Sequence, residues 1–312
     1  MQITIAQKAQ FRGVGLHSGA AVRLAILPAP VDHGIVFSRT DLGGVRIPAR
    51  WDHVTPSQLC TLLDNGAGVT VSTVEHVMAA LVGTGIDNAL IEVNGPEVPI
   101  LDGSSAPFVH GIMEAGLEQQ AAPLRAIRVL KPVEVRNGEA FARLSPADHL
   151  EIHFDIDFTD AAIGHQEKQL DMANGSFVHE LMDSRTFCRL SDVNHMQANG
   201  LALGGTFLNA VVVDGDKVLS PGGLRHQDEA VRHKMLDAMG DLALAGAPLL
   251  ARYTGHRAGH AMTNKLLRAL FAQPDAWEWV TVSADLEQRL PGAGLIPAQR
   301  RRVQPARQLA VA

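Results

Sequence analysis

The sequence predicts an α+β protein of two domains, and three observations support this fold class. The chain has 312 residues, which is long enough for two domains that each have their own hydrophobic core. Hydrophobic residues make up 46% of the chain and charged residues 19%, a composition typical of folded globular proteins. Strand and helix patterns occur in groups instead of alternating strictly, which favours α+β layers over a βαβ fold.

Strand and helix patterns form two series, and the QQAAP segment at 119–123 is the best candidate linker between them. Strands are predicted at 3–5, 21–27, 35–38, 45–47, 86–93, 127–135, 140–144, 151–158, 210–213 and 279–283. Helices are predicted from 72 or 73 to 82, between an N-cap at Ser105 and Gly116, and at 177–182, 227–245 and 261–271. We therefore predict an N-terminal domain at 1–122, a C-terminal domain at 123–285 and a partly disordered tail at 286–312.

The predicted helix at 227–245 has the clearest chemical content. Apolar residues at helical spacing give it a mostly buried surface: Val231, Met235, Ala238, Leu242 and Ala245. Its remaining arc carries the polar residues His233, Lys234, Asp237 and Asp241. A polar arc on a buried helix must face a partner, a metal or a wet cleft. His233 and Asp237 are four residues apart and can hold one cation, although an imidazole–carboxylate hydrogen bond explains the same spacing.

Glu75 and His76 lie in the first turns of the predicted helix STVEHVMAAL and have two interpretations. In the structural one, Ser72 and Glu75 form a capping box, and His76 is a core imidazole bonded to a carbonyl. In the functional one, a glutamate beside a metal-binding histidine is a general base placed to activate water. These residues alone favour the structural interpretation, because capping boxes are frequent.

His260 precedes the last predicted core helix and has two interpretations as well. It can cap that helix, whose positive end favours a neutral imidazole. A general acid at this position needs a nearby carboxylate to offset that effect, and Asp241 is the candidate. Thr186 and Lys234 are less specific, because threonines near turns usually bond the backbone and lysines are usually solvated.

Composition and charge argue against several classes of protein. A net charge of −6 and an aromatic content of 4% argue against a nucleic-acid partner. Cys60 and Cys188 form no paired pattern, which argues against a disulfide scaffold or a cysteine-based zinc site and fits a reducing compartment. The sequence shows neither a signal peptide nor an apolar stretch that could span a bilayer. We therefore expect a cytoplasmic protein, and no feature demands more than a monomer.

Long motifs in a fixed order strengthen the functional interpretation. They are GVGLHSG, STVEHVMAAL, GIDNALIEVNGPEVPILDGSSAPFV, SRTF, GLALGG, NAVVVDGDKVLSPGGLRHQDEAVRHKMLDAMGDLALAGAPL and GHAMTNKLL. Their combination resembles the UDP-3-O-acyl-N-acetylglucosamine deacetylases, which remove acetate from a sugar nucleotide early in lipid A synthesis in Gram-negative bacteria. The resemblance extends from about residue 13 to residue 271.

The resemblance implies a metal centre and a base. His76, His233 and Asp237 would bind a catalytic Zn²⁺ and leave one position for water, and Glu75 resembles the general base. Two imidazoles and one carboxylate suit Zn²⁺ or Fe²⁺.

The resemblance also implies proton donation and substrate contacts. His260 resembles the general acid that protonates the leaving amine, with Asp241 behind it. Thr186 resembles the hydroxyl that stabilises the tetrahedral oxyanion, and Lys234 resembles a contact to the sugar-phosphate side of the substrate. We expect Asp241→Asn to lower the apparent pKa of the acid, and an unchanged pH profile would remove this assignment.

The family fold is two domains of similar topology, each a helix and sheet sandwich with a small inserted subdomain, and the site lies between the domains. The second insert, at about 184–213, would form a hydrophobic passage for the 3-O-acyl chain, with the candidate lining residues Leu201, Phe207 and Val212. Candidate contacts on the nucleotide side are Phe158 and Phe187. The chain departs from the family pattern at Cys188 and Arg189, where a glycine and an aromatic residue are usual.

The resemblance thus implies a zinc-dependent hydrolase that takes an acylated UDP-sugar and releases acetate. One alternative is a zinc amidohydrolase of the same fold that acts on another N-acylated sugar nucleotide. Another is a non-catalytic protein that binds a sugar nucleotide. A binding protein needs neither an acid nor a base, so the candidate set argues against this last alternative: Glu75, His76, His233, Asp237 and His260.

Overall fold

The first half of the chain folds around a five-stranded sheet. The computed structural model describes residues 1–295, and the strands of this half are β1 Ile3–Ile5, β2 Ala9–Val14, β3 Ala21–Pro28, β4 Ile35–Arg39, β5 Val45–Pro48, β6 Val54–Thr55, β7 Leu62–Asp64, β8 Thr70–Ser72, β9 Ala89–Val93 and β10 Leu117–Gln119. Its helices are α1 Glu75–Gly83 and α2 Ala106–Ala115. The large sheet has the order β2-β3-β9-β4-β5, β6 to β8 form a small sheet, and β1 pairs with β10.

The second half is built on a seven-stranded sheet. Its strands are β11 Arg125–Val129, β12 Val133–Asn137, β13 Ala140–Pro146, β14 Glu151–Asp157, β15 His165–Asp171, β16 Phe187–Arg189, β17 Val211–Asp214, β18 Lys217–Val218, β19 Leu249–His256 and β20 Trp277–Thr281. Its helices are α3 Leu190–Ala198, α4 Glu229–Leu242, α5 His260–Phe271 and α6 Ala284–Glu287, with a π-helical turn at Phe177–Leu181. The sheet has the order β12-β13-β19-β11-β20, to which β14 and β15 are added beside β19, while β16 to β18 form a small sheet.

Helices from both halves lie between the two large sheets. Helix α2 packs against β2 of the first sheet, α5 packs against β12 and β13 of the second, and α1 and α4 pack against each other. Buried apolar side chains from both halves belong to one cluster, which includes Met78 and Leu81 of α1 and Met235 and Leu236 of α4. The predicted α+β class is confirmed.

The apolar stripe of the long helix is confirmed, but the helix is shorter than predicted. Helix α4 begins at Glu229 and ends at Leu242, and a 3-10 turn at Ala243–Ala245 follows. The five residues of the predicted stripe are all buried: Val231, Met235, Ala238, Leu242 and Ala245. Helical periodicity therefore identified the buried face, although it did not fix the helix ends.

The capping-box interpretation is wrong. Ser72 ends strand β8, and its hydroxyl donates to a backbone carbonyl, so α1 begins at Glu75 with Val74 as its N-cap. Ser105 also makes no capping hydrogen bond. Its hydroxyl instead donates to the carbonyl oxygen of His76 at 2.8 Å, which ties the start of α2 to α1. Tertiary partners thus replaced the local bonds that the sequence suggested.

Other differences follow from residue chemistry. The strand predicted at 127–135 is two strands, β11 and β12, because Pro132 between them lacks an N–H for a sheet. Strand β15 has the polar sequence HQEKQLD, so it gave no apolar alternation to detect. Strand β2 and helix α3 were also not predicted.

Each described sheet draws its strands from one side of the predicted boundary between residues 122 and 123. We propose these two halves as the domains. The tail predicted at 286–312 begins in α6, and Leu290 is buried against Ala126 and Leu250. Residues 296–312 of that prediction lie outside the described residues. Among residues 1–295, no helix is both long enough and apolar enough to cross a membrane.

Candidate functional site

The helices that carry most candidate residues cross at Gly240. A Cβ atom on Gly240 would lie 2.0 Å from the backbone oxygen of Glu75, so a larger residue would force α1 and α4 apart. This close approach brings Glu75 and His76 of one half against the polar arc of α4 in the other. The close contact between the two helices therefore explains why position 240 is a glycine, which the sequence did not reveal.

His76, His233 and Asp237 converge at this crossing. One nitrogen or oxygen atom from each lies within 4.8 Å of the others. The Nε2 atoms of His76 and His233 are 3.6 Å and 3.3 Å from Asp237 Oδ1. All three residues are buried, and Asp237 Oδ1 has no hydrogen-bond donor within residues 1–295. Buried carboxylate oxygens are seldom unpaired, so this atom fits a cation ligand.

The imidazole of His233 is oriented as a metal ligand. Its Nδ1 lies 3.0 Å from the backbone oxygen of Ser184, which can only accept, so Nδ1 carries the proton and Nε2 presents a lone pair. Burial lowers the pKa of His233 to about 4, so the imidazole is neutral at pH 7. The rings of His76 and His233 are perpendicular, with centroids 5.0 Å apart.

The carboxylate of Glu75 lies beside these three residues. Its Oε2 accepts the backbone N–H of Thr61 at 3.0 Å, and its Oε1 is 3.9 Å from Nε2 of His260. Burial raises the pKa of Glu75, although the neighbouring His260 and His76 oppose that effect. A carboxylate with a raised pKa is a stronger proton acceptor, as a general base requires.

His260 is paired with Asp241 as the sequence suggested. The Nδ1 atom of His260 lies 2.8 Å from Asp241 Oδ2, at the start of α5. Burial alone would lower the pKa of His260, but the carboxylates of Asp241, Glu75 and Asp237 outweigh it and raise this pKa to about 9. The imidazole is therefore protonated at pH 7 and can donate a proton from Nε2.

Lys234 and Thr186 lie beside the same centre. Lys234 is half-buried instead of solvated, and its Nζ donates to Asp237 Oδ2 at 2.9 Å. The backbone of Thr186 is held on both sides, because its N–H donates to Gly103 and its carbonyl accepts from Val211. Its side chain lies on the wall of the cavity that opens from the centre.

This cavity has a volume of about 1110 Å³ and extends from the centre into the insert. Every predicted substrate contact lies on its wall: Phe158, Phe187, Leu201, Phe207, Val212 and Lys234. The rings of Phe158 and Phe187 meet edge to face, with centroids 5.4 Å apart. Cys188 and Arg189, where the chain departs from the family pattern, also line the cavity, but Arg189 is paired with Asp192. A second cavity of about 260 Å³ lies elsewhere and contains none of the candidate residues.

Two glycine-rich loops join the halves at the cavity wall. The N–H of Gly204 donates to the carbonyl of Leu16, and the N–H of Leu203 donates to that of His17. A Cβ on Gly204 would lie 2.2 Å from the backbone oxygen of Gly15, so the contact requires glycine. The sequence contains GVGLHSG and GLALGG as two separate motifs, but it gave no signal that they touch.

Several residues at the site were not predicted. Thr61 contacts Glu75 and Asp241, and His17 and Arg257 line the cavity. The carboxylate of Glu97 accepts hydrogen bonds from the backbone N–H groups of residues 17 and 18, and so holds the GVGLHSG loop in place. Only the acidity of Glu97 within a glycine- and proline-rich loop could have drawn attention to it.

Comparison with known proteins covers the whole site. The LpxC family, described as UDP-3-O-acyl N-acetylglycosamine deacetylase, matches residues 2–272. A relative from Phenylobacterium zucineum (strain HLK1), named UDP-3-O-acyl-N-acetylglucosamine deacetylase, is 51% identical over 289 residues, which cover 92% of this chain and 99% of the relative. A relative of the same name from Shewanella frigidimarina (strain NCIMB 400) is 46% identical over 299 residues, 95% of this chain and 97% of its own.

Proposed function

We propose an active site between the two halves of this chain, which belongs to the LpxC family of UDP-3-O-acyl-N-acetylglucosamine deacetylases. The site consists of Glu75, His76, His233, Asp237 and His260. The enzyme hydrolyses the N-acetyl group of UDP-3-O-acyl-N-acetylglucosamine and yields UDP-3-O-acyl-glucosamine and acetate, an early step of lipid A biosynthesis. The family resemblance of the motifs is thus confirmed. The names of these relatives support neither alternative, which were a non-catalytic binding protein and a hydrolase acting on another N-acylated sugar nucleotide.

The proposed cofactor is a divalent metal ion held by His76, His233 and Asp237. The residues fit this role, since two imidazole Nε2 atoms surround a buried carboxylate oxygen that has no donor within residues 1–295. This ligand set suits Zn²⁺, with Fe²⁺ as the alternative. When bound, the ion would polarise the acetamide carbonyl and lower the pKa of water at the site towards ~7.

The protein's own groups then move the protons. Glu75 accepts a proton from water while the oxygen of that water forms a bond to the acetamide carbon. The hydroxyl of Thr186 donates to the oxygen on which negative charge develops. His260 gives the proton on Nε2 to the amine nitrogen as the C–N bond breaks, and Asp241 stabilises the charged imidazole before this transfer.

The cavity accounts for the parts of the substrate away from the amide. Its wall in the insert offers the apolar side chains Leu201, Phe207 and Val212 to the 3-O-acyl chain. Lys234 and Arg257 are basic groups that suit the phosphates, and Phe158 and Phe187 suit the nucleotide side. We place the reaction in the cytoplasm, with a small-molecule substrate, a monomeric enzyme and no nucleic-acid partner.

The convergence of His76, His233 and Asp237 carries this proposal. The test measures acetate release from UDP-3-O-acyl-N-acetylglucosamine after removal of metal with a chelator and after stoichiometric addition of Zn²⁺ or Fe²⁺. We expect activity to disappear on removal and to return with the metal. His153→Gln is the matched control, because His153 pairs with Glu167 on the exposed face of β14 and should not change metal content. Acetate release from fully demetallated protein would contradict the proposal.

A further inference from the structure

We propose that Thr61 is a positioning residue, which holds the general base and the partner of the general acid in one arrangement. The inference rests on the proposed function, because that function gives Glu75 and His260 their roles. Thr61 lies next to β7 in the first half of the chain and is 3% exposed.

Thr61 contacts two carboxylates from different halves of the protein. Its backbone N–H donates to Glu75 Oε2 at 3.0 Å. Its hydroxyl donates to Asp241 Oδ1 at 2.6 Å, across 180 positions of the chain. The hydroxyl of Thr61 is the donor in this bond, and the carboxylate oxygen of Asp241 is the acceptor. One buried residue therefore spans the base and the carboxylate behind the acid.

The bond to Glu75 determines which oxygen of that carboxylate is available. A carboxylate at the end of a glutamate rotates readily about its last bond. Because Oε2 is held by Thr61, Oε1 is the oxygen that lies 3.9 Å from Nε2 of His260. The hydrogen bond from Thr61 therefore fixes the orientation of the Glu75 carboxylate before the substrate binds.

The bond to Asp241 does the same for the acid. With Oδ1 occupied by the hydroxyl of Thr61, Oδ2 is the atom that accepts Nδ1 of His260 at 2.8 Å. Nδ1 of His260 therefore faces Asp241, and Nε2 faces Glu75 and Asp237. The distance from Nε2 to the nearest carboxylate oxygen of each is 3.9 Å. The proton that leaves during the reaction is then on the nitrogen that faces the centre.

Threonine offers a matched pair of substitutions. Thr61→Val keeps the branched shape and removes the hydroxyl, while Thr61→Ser keeps the hydroxyl and removes the methyl group. Both keep the backbone N–H that contacts Glu75. The comparison therefore isolates the bond from the Thr61 hydroxyl to Asp241, and Thr61→Ala removes the hydroxyl without any steric conflict.

The experiment measures kcat, KM and metal content of the metal-loaded full chain for the three variants. We expect Thr61→Val and Thr61→Ala to lower kcat by about tenfold to a hundredfold, because the acid loses its fixed orientation. We expect KM to change by less than about twofold and Thr61→Ser to keep kcat within about threefold. An unchanged kcat in Thr61→Ala overturns the proposal. So does a serine variant as slow as the alanine variant, or a loss explained wholly by lost metal or raised KM.

A double-mutant cycle with Asp241→Asn adds a readout that a purely structural role would not change. If Thr61 acts through Asp241, the combined loss of kcat is smaller than the product of the single losses. A combined loss equal to that product overturns the proposal. The wild type is the active reference and Glu75→Ala the inactive one, and together they separate the two hypotheses. A wild type without acetate release defeats the proposed function. An active wild type with an equally fast Thr61→Ala defeats only the role of Thr61.

Discussion

His260 Nδ1 lies 2.8 Å from Asp241 Oδ2, and the two residues come from different helices of the second half. Asp241 is buried on α4, and its charge is one of the three that raise the pKa of His260 to about 9 against the effect of burial. The pair therefore keeps a proton on an imidazole that its position at the start of α5 would otherwise leave neutral.

Asp241→Asn should move the alkaline limb of the pH profile to lower pH. A general acid works only while protonated, so activity falls as the pH rises through its pKa. Removing the carboxylate charge lowers the pKa of His260, and the loss of activity begins at lower pH. The dependence of kcat/KM on pH, measured for wild type and variant with the same metal, checks this. A bound cation lowers the pKa of His260 in both proteins, so the difference between them is the relevant quantity. Coincident alkaline limbs would remove Asp241 from the proton-donating pair.

Glu75→Gln should lower kcat by about 10²- to 10⁴-fold while metal content stays unchanged, because the amide cannot accept the proton of water. The amide still accepts the N–H of Thr61, so the local structure is retained. Acetate release and metal analysis of the same preparation provide the measurement. Glu114→Gln, an exposed glutamate on α2, is the control and should match the wild type. A variant that stays active assigns the base to another group.

Gly240→Ala should lower both stability and metal affinity. The added Cβ would lie 2.0 Å from the backbone oxygen of Glu75, so α1 must move away from α4 and His76 moves with it. Overpacking of this kind costs about 1–3 kcal/mol of unfolding free energy. Thermal unfolding and a metal-binding titration measure the two effects. Gly95→Ala adds a Cβ with no atom within 4 Å and should change neither. Normal metal affinity in Gly240→Ala would show that the crossing does not set the metal site.

Substrates of graded acyl length should show one strongly preferred length, and Phe207→Ala should weaken that preference. Phe207 lines the cavity in the insert, so its loss removes contact with the acyl chain and raises KM with little change in kcat. Mass spectrometry of the deacetylated products measures this. Leu208→Ala is the adjacent control, because Leu208 is 72% exposed and does not line the cavity. A flat response to acyl length would mean that the passage is assigned wrongly.

The sequence predicted the row on α4 because helical spacing places His233, Asp237 and Asp241 on one face whatever surrounds the helix. The approach of His76 to that row depends on the missing side chain of Gly240 and on packing between the halves. Periodicity within one segment contains no information about such a contact, and the family resemblance supplied it instead.

Local motifs failed where tertiary partners were stronger. Ser72 and Glu75 have the spacing of a capping box, but Glu75 bonds Thr61 and Ser72 belongs to a strand. Thr61 itself was not predicted, because a single threonine among apolar neighbours forms no recognisable motif. Its role depends on two carboxylates that are 14 and 180 positions away.

The proposed active site requires that His76, His233 and Asp237 share one ion. An anomalous difference map of zinc-loaded crystals at the zinc edge tests this most directly. We predict a single strong peak between the two Nε2 atoms and Asp237 Oδ1, at about 2.0–2.2 Å from each. A zinc-dependent enzyme without a peak at this position, or with its zinc bound elsewhere, would contradict the proposed metal site.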